Sequence, residues 1–261
     1  MIPKMLIKAT LMDGAGNTFL LLPGDVVEPQ SRPQRVRSWS ASQKVDGVVF
    51  LTEQDHELVW SWDFYNRDGS KAEMCGNAAR CAVCWISQRR NLVGKWIVIK
   101  TLAGEIKGKL DTDGVKVIMP EVSNSKWLEL GTKKIFFAKA GVPHLVVPCP
   151  QKDLEDIDLI SEAKFLRQLP ALGPSGANVT FVFEVERGKF KAKTWERGVE
   201  GFTLACGTGA VAAAEYLRQT KGLIKADIHM PGGTLSVDLS EQRPLLMGPV
   251  KIREEVLLED E

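Results

Sequence analysis

Long apolar runs are missing from this sequence. No segment approaches the roughly 20 consecutive apolar residues of a membrane span, so no membrane role is expected. Neither sign of charge is in excess: 34 Lys and Arg stand against 33 Asp and Glu, a net charge of +1. Such a balance supplies no global field for nucleic acid or an anionic membrane. One local basic stretch, Arg32, Arg35, Arg37 and Lys44, is interrupted by Ser, Pro and Gln and reads as a solvated face. Cysteine is sparse and odd in number, at five. A disulfide framework is therefore not expected, and the chain is placed in a reducing compartment, the cytoplasm. Low-complexity tracts are absent, and the segment Met1 to Met12 lacks the apolar run and small-residue cleavage site of a signal peptide. The acidic tail, Glu254 to Glu261, is expected to fray after its last strand.

What is present is a chain of 261 residues with 44% hydrophobic content, enough to bury a sizeable core in one large domain or two ordinary ones. Its most informative property is that it repeats itself. Met74-Cys75-Gly76-Asn77-Ala78-Ala79-Arg80-Cys81-Ala82 resembles Ala205-Cys206-Gly207-Thr208-Gly209-Ala210-Val211-Ala212-Ala213. Upstream, Asp46-Gly47-Val48-Val49-Phe50 parallels Ala177-Asn178-Val179-Thr180-Phe181, and Asn66-Arg67-Asp68-Gly69 falls where Glu196-Arg197-Gly198 falls. Downstream, Ala103-Gly104-Glu105-Ile106 parallels Gly232-Gly233-Thr234-Leu235, and Val117-Ile118-Met119-Pro120 parallels Leu245-Leu246-Met247-Gly248-Pro249. Each match is weak alone; their common order and spacing indicate a duplication.

Alternation and β-branched or aromatic content predict strands at Leu58 to Tyr65, Ile97 to Lys100, Val115 to Met119, Val179 to Val185, Lys189 to Trp195 and Leu235 to Leu239. Two segments break the pattern. Asn77 to Ser87 and Thr208 to Leu217 are apolar nearly all round, which predicts buried helices. The second is built of Ala and Gly, so sheet backbone must approach it closely. Each half thus reads as a sheet wrapped around one central helix, with a cysteine just before the helix begins. The seven tryptophans scatter over the strands and are expected mostly in the core.

A cysteine in that place has chemical consequences. The first N–H groups of a helix lack internal partners, and the macrodipole is positive there. Thiol pKa values fall from about 8.5 to roughly 3.5–7.5 at such sites. The same N–H groups can hold a carboxylate. Two helix starts of this kind would hold one amino-acid carboxylate with a thiol on each face of its α-carbon. One thiolate would take the α-proton and the opposite thiol would deliver another, which inverts the centre. Cys81 and Cys84 are three apart, but no second ligand pair lies nearby, so they are read with Cys149 as core rather than as a zinc site. Oxidation would join Cys75 and Cys206 in an inactive state. His144, in Gly141-Val142-Pro143-His144, is read as a turn histidine, either structural or a tuner of a thiol.

The segment Asn66 to Cys81 resembles the first signature of the diaminopimelate epimerase family, and Trp195-Glu196-Arg197-Gly198 with Leu204-Ala205-Cys206-Gly207-Thr208-Gly209 resembles the second. Gly16-Asn17-Thr18-Phe19, Ala177-Asn178-Val179 and Pro231-Gly232-Gly233 are similar to its lesser motifs. The resemblance implies an α/β fold of two pseudo-symmetric halves, each a curved, mostly antiparallel sheet around a central helix, with the site in the cleft between them. It places the first half at residues 1–122 plus a returning C-terminal strand at about 250–261, and the second at 123–249. It implies interconversion of LL- and meso-diaminopimelate for lysine and cell-wall synthesis, without pyridoxal phosphate, metal or other cofactor. Carried over, Cys75 and Cys206 are the acid–base pair, and Gly76, Asn77, Gly207 and Thr208 hold the reacting carboxylate. Asn17 and Glu196 lie near the reacting ammonium. Asn66, Asn178 and Arg197 hold the distal amino-acid group, and His144 and Glu196 bias the thiols. The partner implied is a small amino acid, with neither nucleic acid nor membrane; a homodimer is compatible with it.

The chain departs from the family at substrate-facing positions. Gly47 stands where Gln is usual and Val142 where Asn is usual; Thr18 replaces a common Asp and Ala78 a common Gly. The segment Val199 to Thr203 is one residue longer than usual, with Phe202 where Glu is common. Three alternatives therefore stay open: a related racemase for another amino acid, a non-catalytic ligand-binding relative, and a pyridoxal-phosphate racemase, for which no lysine motif speaks.

Overall fold

The computed structural model describes residues 6–131, 133–149 and 158–259. Two compact units divide the chain: one takes the residues up to Val117 together with those from Gly248 onward, the other Ile118–Met247.

The first unit opens with a hairpin of β1 (Leu6–Gly14) and β2 (Asn17–Pro23). Its turn is two residues, Ala15 at φ 56° and Gly16 at φ 89°, the positive-φ pair whose twist matches that of the flanking strands. Helix α1 (Arg32–Gln43) then crosses over, so that β3 (Gly47–Glu53) runs parallel to β2. Strand β4 (Val59–Asn66) is antiparallel to β3, helix α2 (Gly76–Arg89) follows, and β5 (Ile97–Thr101) returns parallel to β4. Strands β6 (Gly104–Asp111) and β7 (Gly114–Ile118) complete the run.

The second unit repeats this path. Strands β8 (Val122–Leu130), β9 (Lys133–Ala140) and β10 (Val142–Cys149) are antiparallel neighbours, and α3 (Asp158–Arg167) crosses to β11 (Asn178–Glu186), parallel to β10. Strand β12 (Lys189–Glu196) is antiparallel to β11, β13 (Gly201–Thr203) adds to its edge, and α4 (Gly207–Lys221) leads to β14 (Lys225–Met230), parallel to β12. Strands β15 (Gly233–Asp238) and β16 (Leu245–Gly248) end it. All six predicted strands and both predicted helices are present, within a residue or two at most ends.

Helices α2 and α4 are enclosed as their composition requires. From Gly76 through Ser87 every residue of α2 is buried, as are Gly207, Leu217 and the run Gly209–Glu215 of α4. Close approach is secured by glycine on opposite sides in the two units. A Cβ on Gly209 of α4 would stand 2.5 Å from the Thr194 hydroxyl of β12. In the first unit Ala78 occupies the matching helical place, and the glycine is on the strand: a Cβ on Gly14 would stand 2.8 Å from the Asn77 carbonyl.

Several expectations need correction. Each sheet also carries an outer helix, α1 or α3. Helix α1 buries Arg32, Val36, Trp39 and Ser40, and its Val36 and Trp39 join a core with Leu20, Leu22, Val48 and Phe50. Arg32 is accordingly not on a solvated face. It donates to the carbonyls of Val27 (3.1 Å) and Gly24 (2.5 Å) and pairs with Asp63 at 2.7 Å. The acidic tail does not fray from Glu254. It forms β17 (Lys251–Glu259), antiparallel to β1, where Glu255 accepts from the Thr10 hydroxyl at 3.0 Å. Asp260 and Glu261, like Met1 to Met5, lie outside the described residues. Most tryptophans are buried as expected, Trp96 and Trp127 being exposed, but Trp39 and Trp85 sit on helices rather than strands. Among the described residues no helix is long and apolar enough to cross a membrane.

Candidate active site

Both signature cysteines are N-caps of the buried helices. Cys75 has φ −144° and ψ 120°, and Cys206 has φ −125° and ψ 110°, so each is extended while its carbonyl already accepts the first helical N–H, from Ala79 and Ala210, both at 2.9 Å. A glycine is the first residue of each helix. The N–H groups of that first turn have no carbonyl partner inside the helix. None of the five cysteines is in a disulfide.

In the first unit a chain of amides reaches the start of α2. Asp46 accepts from Asn17 Nδ2 at 3.3 Å and from the Thr18 N–H at 2.9 Å. Asn77 Nδ2 donates to Asn17 Oδ1 at 2.8 Å, and Asn77 Oδ1 accepts from Arg80 Nη2 at 2.9 Å. Asn17, Gly76 and Asn77 are thus gathered beside Cys75. Asn66 is not drawn into this group: it ends β4 exposed and donates to the Ser70 hydroxyl at 3.1 Å.

In the second unit the corresponding group is larger. His144 Nε2 lies 2.9 Å from the Thr208 hydroxyl, which lies 3.4 Å from Cys206 Sγ. His144 Nδ1 meets Thr180 Oγ1 at 3.1 Å, and Thr180 meets Thr194 at 3.1 Å. His144 is not a turn residue. It is fully buried on β10, paired in register with Asn178 of β11, whose amide stands 3.4 Å from Nε2. Burial, then the charge of Arg197, pushes the imidazole down to about 3, so it is neutral at any ordinary pH. Asn178 Oδ1 accepts the Arg197 N–H at 2.9 Å and so anchors the turn that carries the guanidinium. Arg197 is half-buried, and among the described residues no carboxylate is in ion-pair range of it.

Glu196 ends β12 and accepts from the Thr203 hydroxyl at 2.5 Å. Burial raises its carboxyl above the usual range. One expectation fails here. The thiol of Cys206 does not end below its usual range: burial, then the Glu196 carboxylate, pushes it well up, and the Thr208 hydroxyl and the Gly209 N–H of the helix's first turn offset only part of this. Sequence reasoning also missed Asp46, Thr180, Thr194, Thr203 and Arg80. The alternating inward positions of β11 and β12 pointed to the threonine pair; an Arg inside the otherwise apolar stretch Ala78–Ile86 pointed to Arg80.

Two usual amide positions are explained or placed. A Cβ on Gly47 would stand 2.6 Å from the Tyr65 carbonyl and 2.7 Å from the Phe64 ring, so no amide side chain fits there without moving β4. Val142 begins β10, half-buried.

The fold is shared with solved structures. A PhzC/PhzF phenazine-biosynthesis protein from Clostridium difficile matches with a TM-score of 0.79 at 12% identity, over 97% of this chain and 100% of its own. A hydroxyproline epimerase from Agrobacterium vitis matches at 0.70 and 13% identity, over 99% and 94%. The architecture is therefore the α/β one of two pseudo-symmetric halves found in PhzF-like proteins and in amino-acid racemases and epimerases. Sequence relatives are closer. A diaminopimelate epimerase from Aquifex aeolicus is 34% identical over 252 residues, covering 88% of this chain and 89% of its own. One from Thermotoga maritima is 35% identical over 238 residues, covering 90% and 95%. The diaminopimelate epimerase family model matches residues 9–124 and 136–253. The chain belongs to the diaminopimelate epimerase family.

Proposed function

We propose that this protein is an isomerase that interconverts LL- and meso-diaminopimelate by moving the α-proton between Cys75 and Cys206, in lysine and peptidoglycan precursor synthesis. The observation that carries the reading is the matched pair of N-cap cysteines, each on a buried helix that opens with glycine. One thiolate removes the α-proton: the C–H bond breaks, an S–H bond forms, and the electron pair stays on the α-carbon. The second thiol then protonates the other face, so the two sulfurs end with exchanged protonation states. The N–H groups of Gly76, Asn77, Gly207 and Thr208 hold the reacting carboxylate, which takes up the developing charge. Asn17 and Glu196 serve the reacting ammonium. Arg197, aided by Asn66 and Asn178, takes the distal carboxylate, for which a planar fork of donors is suited.

The amino-acid substrate is the only partner the mechanism calls for, and no cofactor has a step in it. Reduced thiols are required, which supports a cytoplasmic setting. A homodimer is compatible with the reading. The test is chiral analysis of single diaminopimelate stereoisomers incubated with the protein in reducing buffer. Inversion of LL- to meso-diaminopimelate is expected.

A second reading has its own observation. The crowding of Gly47 by Tyr65 and Phe64 removes a usual substrate-facing amide, which suits a less polar amino acid. Faster inversion of a monocarboxylate substrate in the same assay would establish that reading instead.

A further inference from the structure

Arg80 is the largest fully buried side chain of the first unit, at 0% exposure, within the otherwise apolar stretch Ala78–Ile86 of α2. Its side chain turns back toward the helix start. Nη1 donates to the Gly76 carbonyl at 3.3 Å and Nη2 to Asn77 Oδ1 at 2.9 Å, while Nε has no partner. No carboxylate among the described residues is in ion-pair range, and the ionisable groups close enough to act on it are Cys81 and Cys75. A cation at this end opposes the macrodipole. An unpaired charge in the interior is expensive. Both costs are relieved if an anion forms at the cap.

The other nearby charges are committed elsewhere. Asp13 of β1 is held by Arg253 and accepts the Gly16 N–H at 2.7 Å. Asp46, just before β3, takes the Asn17 amide and the Thr18 N–H. On β3, Glu53 pairs with Arg90, and on β6 Lys109 pairs with Asp111 at 2.7 Å. Cys81 is held protonated by its complete burial. Cys75, half-buried at the cap, is the other thiol whose charge acts on Arg80. The repeat unit lacks this device: buried Val211 stands at the matching place in α4, and Cys206 faces the Glu196 carboxylate instead.

We propose that Arg80 is the charge partner of the Cys75 thiolate, and that it makes Cys75 rather than Cys206 the proton acceptor of the unloaded protein. This rests on the two-thiol reading above. Arg80 is a positioning residue: with no exposed surface it cannot reach substrate, and it acts through the sulfur. It follows that the unloaded protein is poised for one stereoisomer, the one whose α-proton faces Cys75.

The experiment is iodoacetamide alkylation of the full chain across pH 5 to 10, with Cys75 and Cys206 followed separately by peptide mass spectrometry. At pH 7, Cys75 is expected to react at least about tenfold faster than Cys206. In Arg80→Met the Cys75 midpoint should rise by about one pH unit or more, a loss of about tenfold in rate at pH 7. Cys206 should be unaffected, and Arg80→Lys should restore part of the shift. A folded Arg80→Met protein with an unmoved Cys75 midpoint, or a wild type in which Cys206 reacts first, overturns the proposal. Should Arg80→Met not fold, thermal melts of wild type and Cys75→Ala decide. A thiolate stabilised in the native state makes the wild type gain on Cys75→Ala as pH rises from about 6 toward 9, and a constant difference overturns the pairing. Alkylation needs no turnover, so the outcomes separate. A protein that inverts diaminopimelate with an unmoved midpoint loses only the Arg80 role, and one with the expected midpoints but no inversion loses only the proposed function.

Discussion

The imidazole of His144 and the hydroxyl of Thr208 are 2.9 Å apart, so a fully buried histidine that cannot charge is tied to the first turn of the helix that carries Cys206. That tie has a stability signature. A histidine held neutral to about pH 3 in the folded state but titrating near 6.5 when unfolded binds protons preferentially in the unfolded chain between those values. The contribution of His144 to stability should therefore be constant above about pH 6.5 and fall below it, by up to about 1.4 kcal/mol per pH unit. Urea unfolding at pH 7, 6 and 5 measures this slope. His144→Gln should lose most of it between pH 6.5 and 5, and an equal slope in the variant would show that another group is responsible.

Removing either thiol should stop inversion, because each face of the α-carbon needs its own proton carrier. Cys75→Ala and Cys206→Ala are each expected to lower epimerisation by at least about 10³-fold, within the loss associated with an essential acid–base group. One variant should still exchange the α-proton of one stereoisomer with deuterated solvent. Near wild-type inversion in either protein would refute the two-thiol mechanism.

Arg197 is the substrate test. A point charge cannot reproduce a bidentate fork, so Arg197→Lys should reduce kcat/KM for LL-diaminopimelate by about 10–100-fold, equivalent to about 1.4–2.7 kcal/mol. A monocarboxylate amino acid should be much less affected. The check is kcat/KM for both substrates in both proteins. Preference of the wild type for the monocarboxylate, with little effect of the substitution, would retire diaminopimelate as the substrate.

The two missing amides should behave differently when restored. Gly47→Ala already places a Cβ 2.6 Å from the Tyr65 carbonyl, which is backbone and cannot swing away. A loss of about 1–3 kcal/mol is expected from such overpacking, and Gly47→Gln should lose no less. Val142 is half-buried at the start of β10, and Val142→Asn should leave turnover unchanged or raise it. Urea midpoints for the first pair and turnover for the second decide. A Gly47→Gln protein as stable as wild type would mean that β4 yields more readily than its packing indicates.

The parts of the fold legible in the sequence were those written twice. Helices α2 and α4 announce themselves by a cysteine, a glycine and a nearly continuous apolar run. The strands that lie between polar turns do so by alternation. Helix α1 escaped notice although its inward positions, Arg32, Val36, Trp39 and Ser40, fall on one helical face. Two of the four are polar, and the guanidinium is inside only because two carbonyls and Asp63 receive it. Helix α3 shows Leu159, Ala163 and Leu166 on one face, a short stripe easily taken for part of a loop. The tail misled by charge: Glu255 reads as solvent-facing until Lys8, Arg89 and Thr10 are seen beside it. At the site, the cysteines, His144 and Arg197 were readable as residues. Their couplings were not: Thr180 is an ordinary strand residue until the parallel pairing of β10 and β11 brings it to the imidazole, and Thr194 joins only through Thr180.

Strand β17 pairs with β1 along nearly its whole length, from Leu6 opposite Glu259 to Asp13 opposite Lys251. A ribosome makes the first of these strands almost a full chain length before the second. Until then the nascent first unit has an open edge with unsatisfied N–H and C=O groups, and its core lacks Leu258. The unit formed by Ile118–Met247 is continuous in sequence and meets no such delay. The half that begins synthesis is therefore the half that finishes folding last. Any ribosome stalled short of Lys251 releases a chain whose second lobe can be sound while its first presents an adhesive margin to its neighbours.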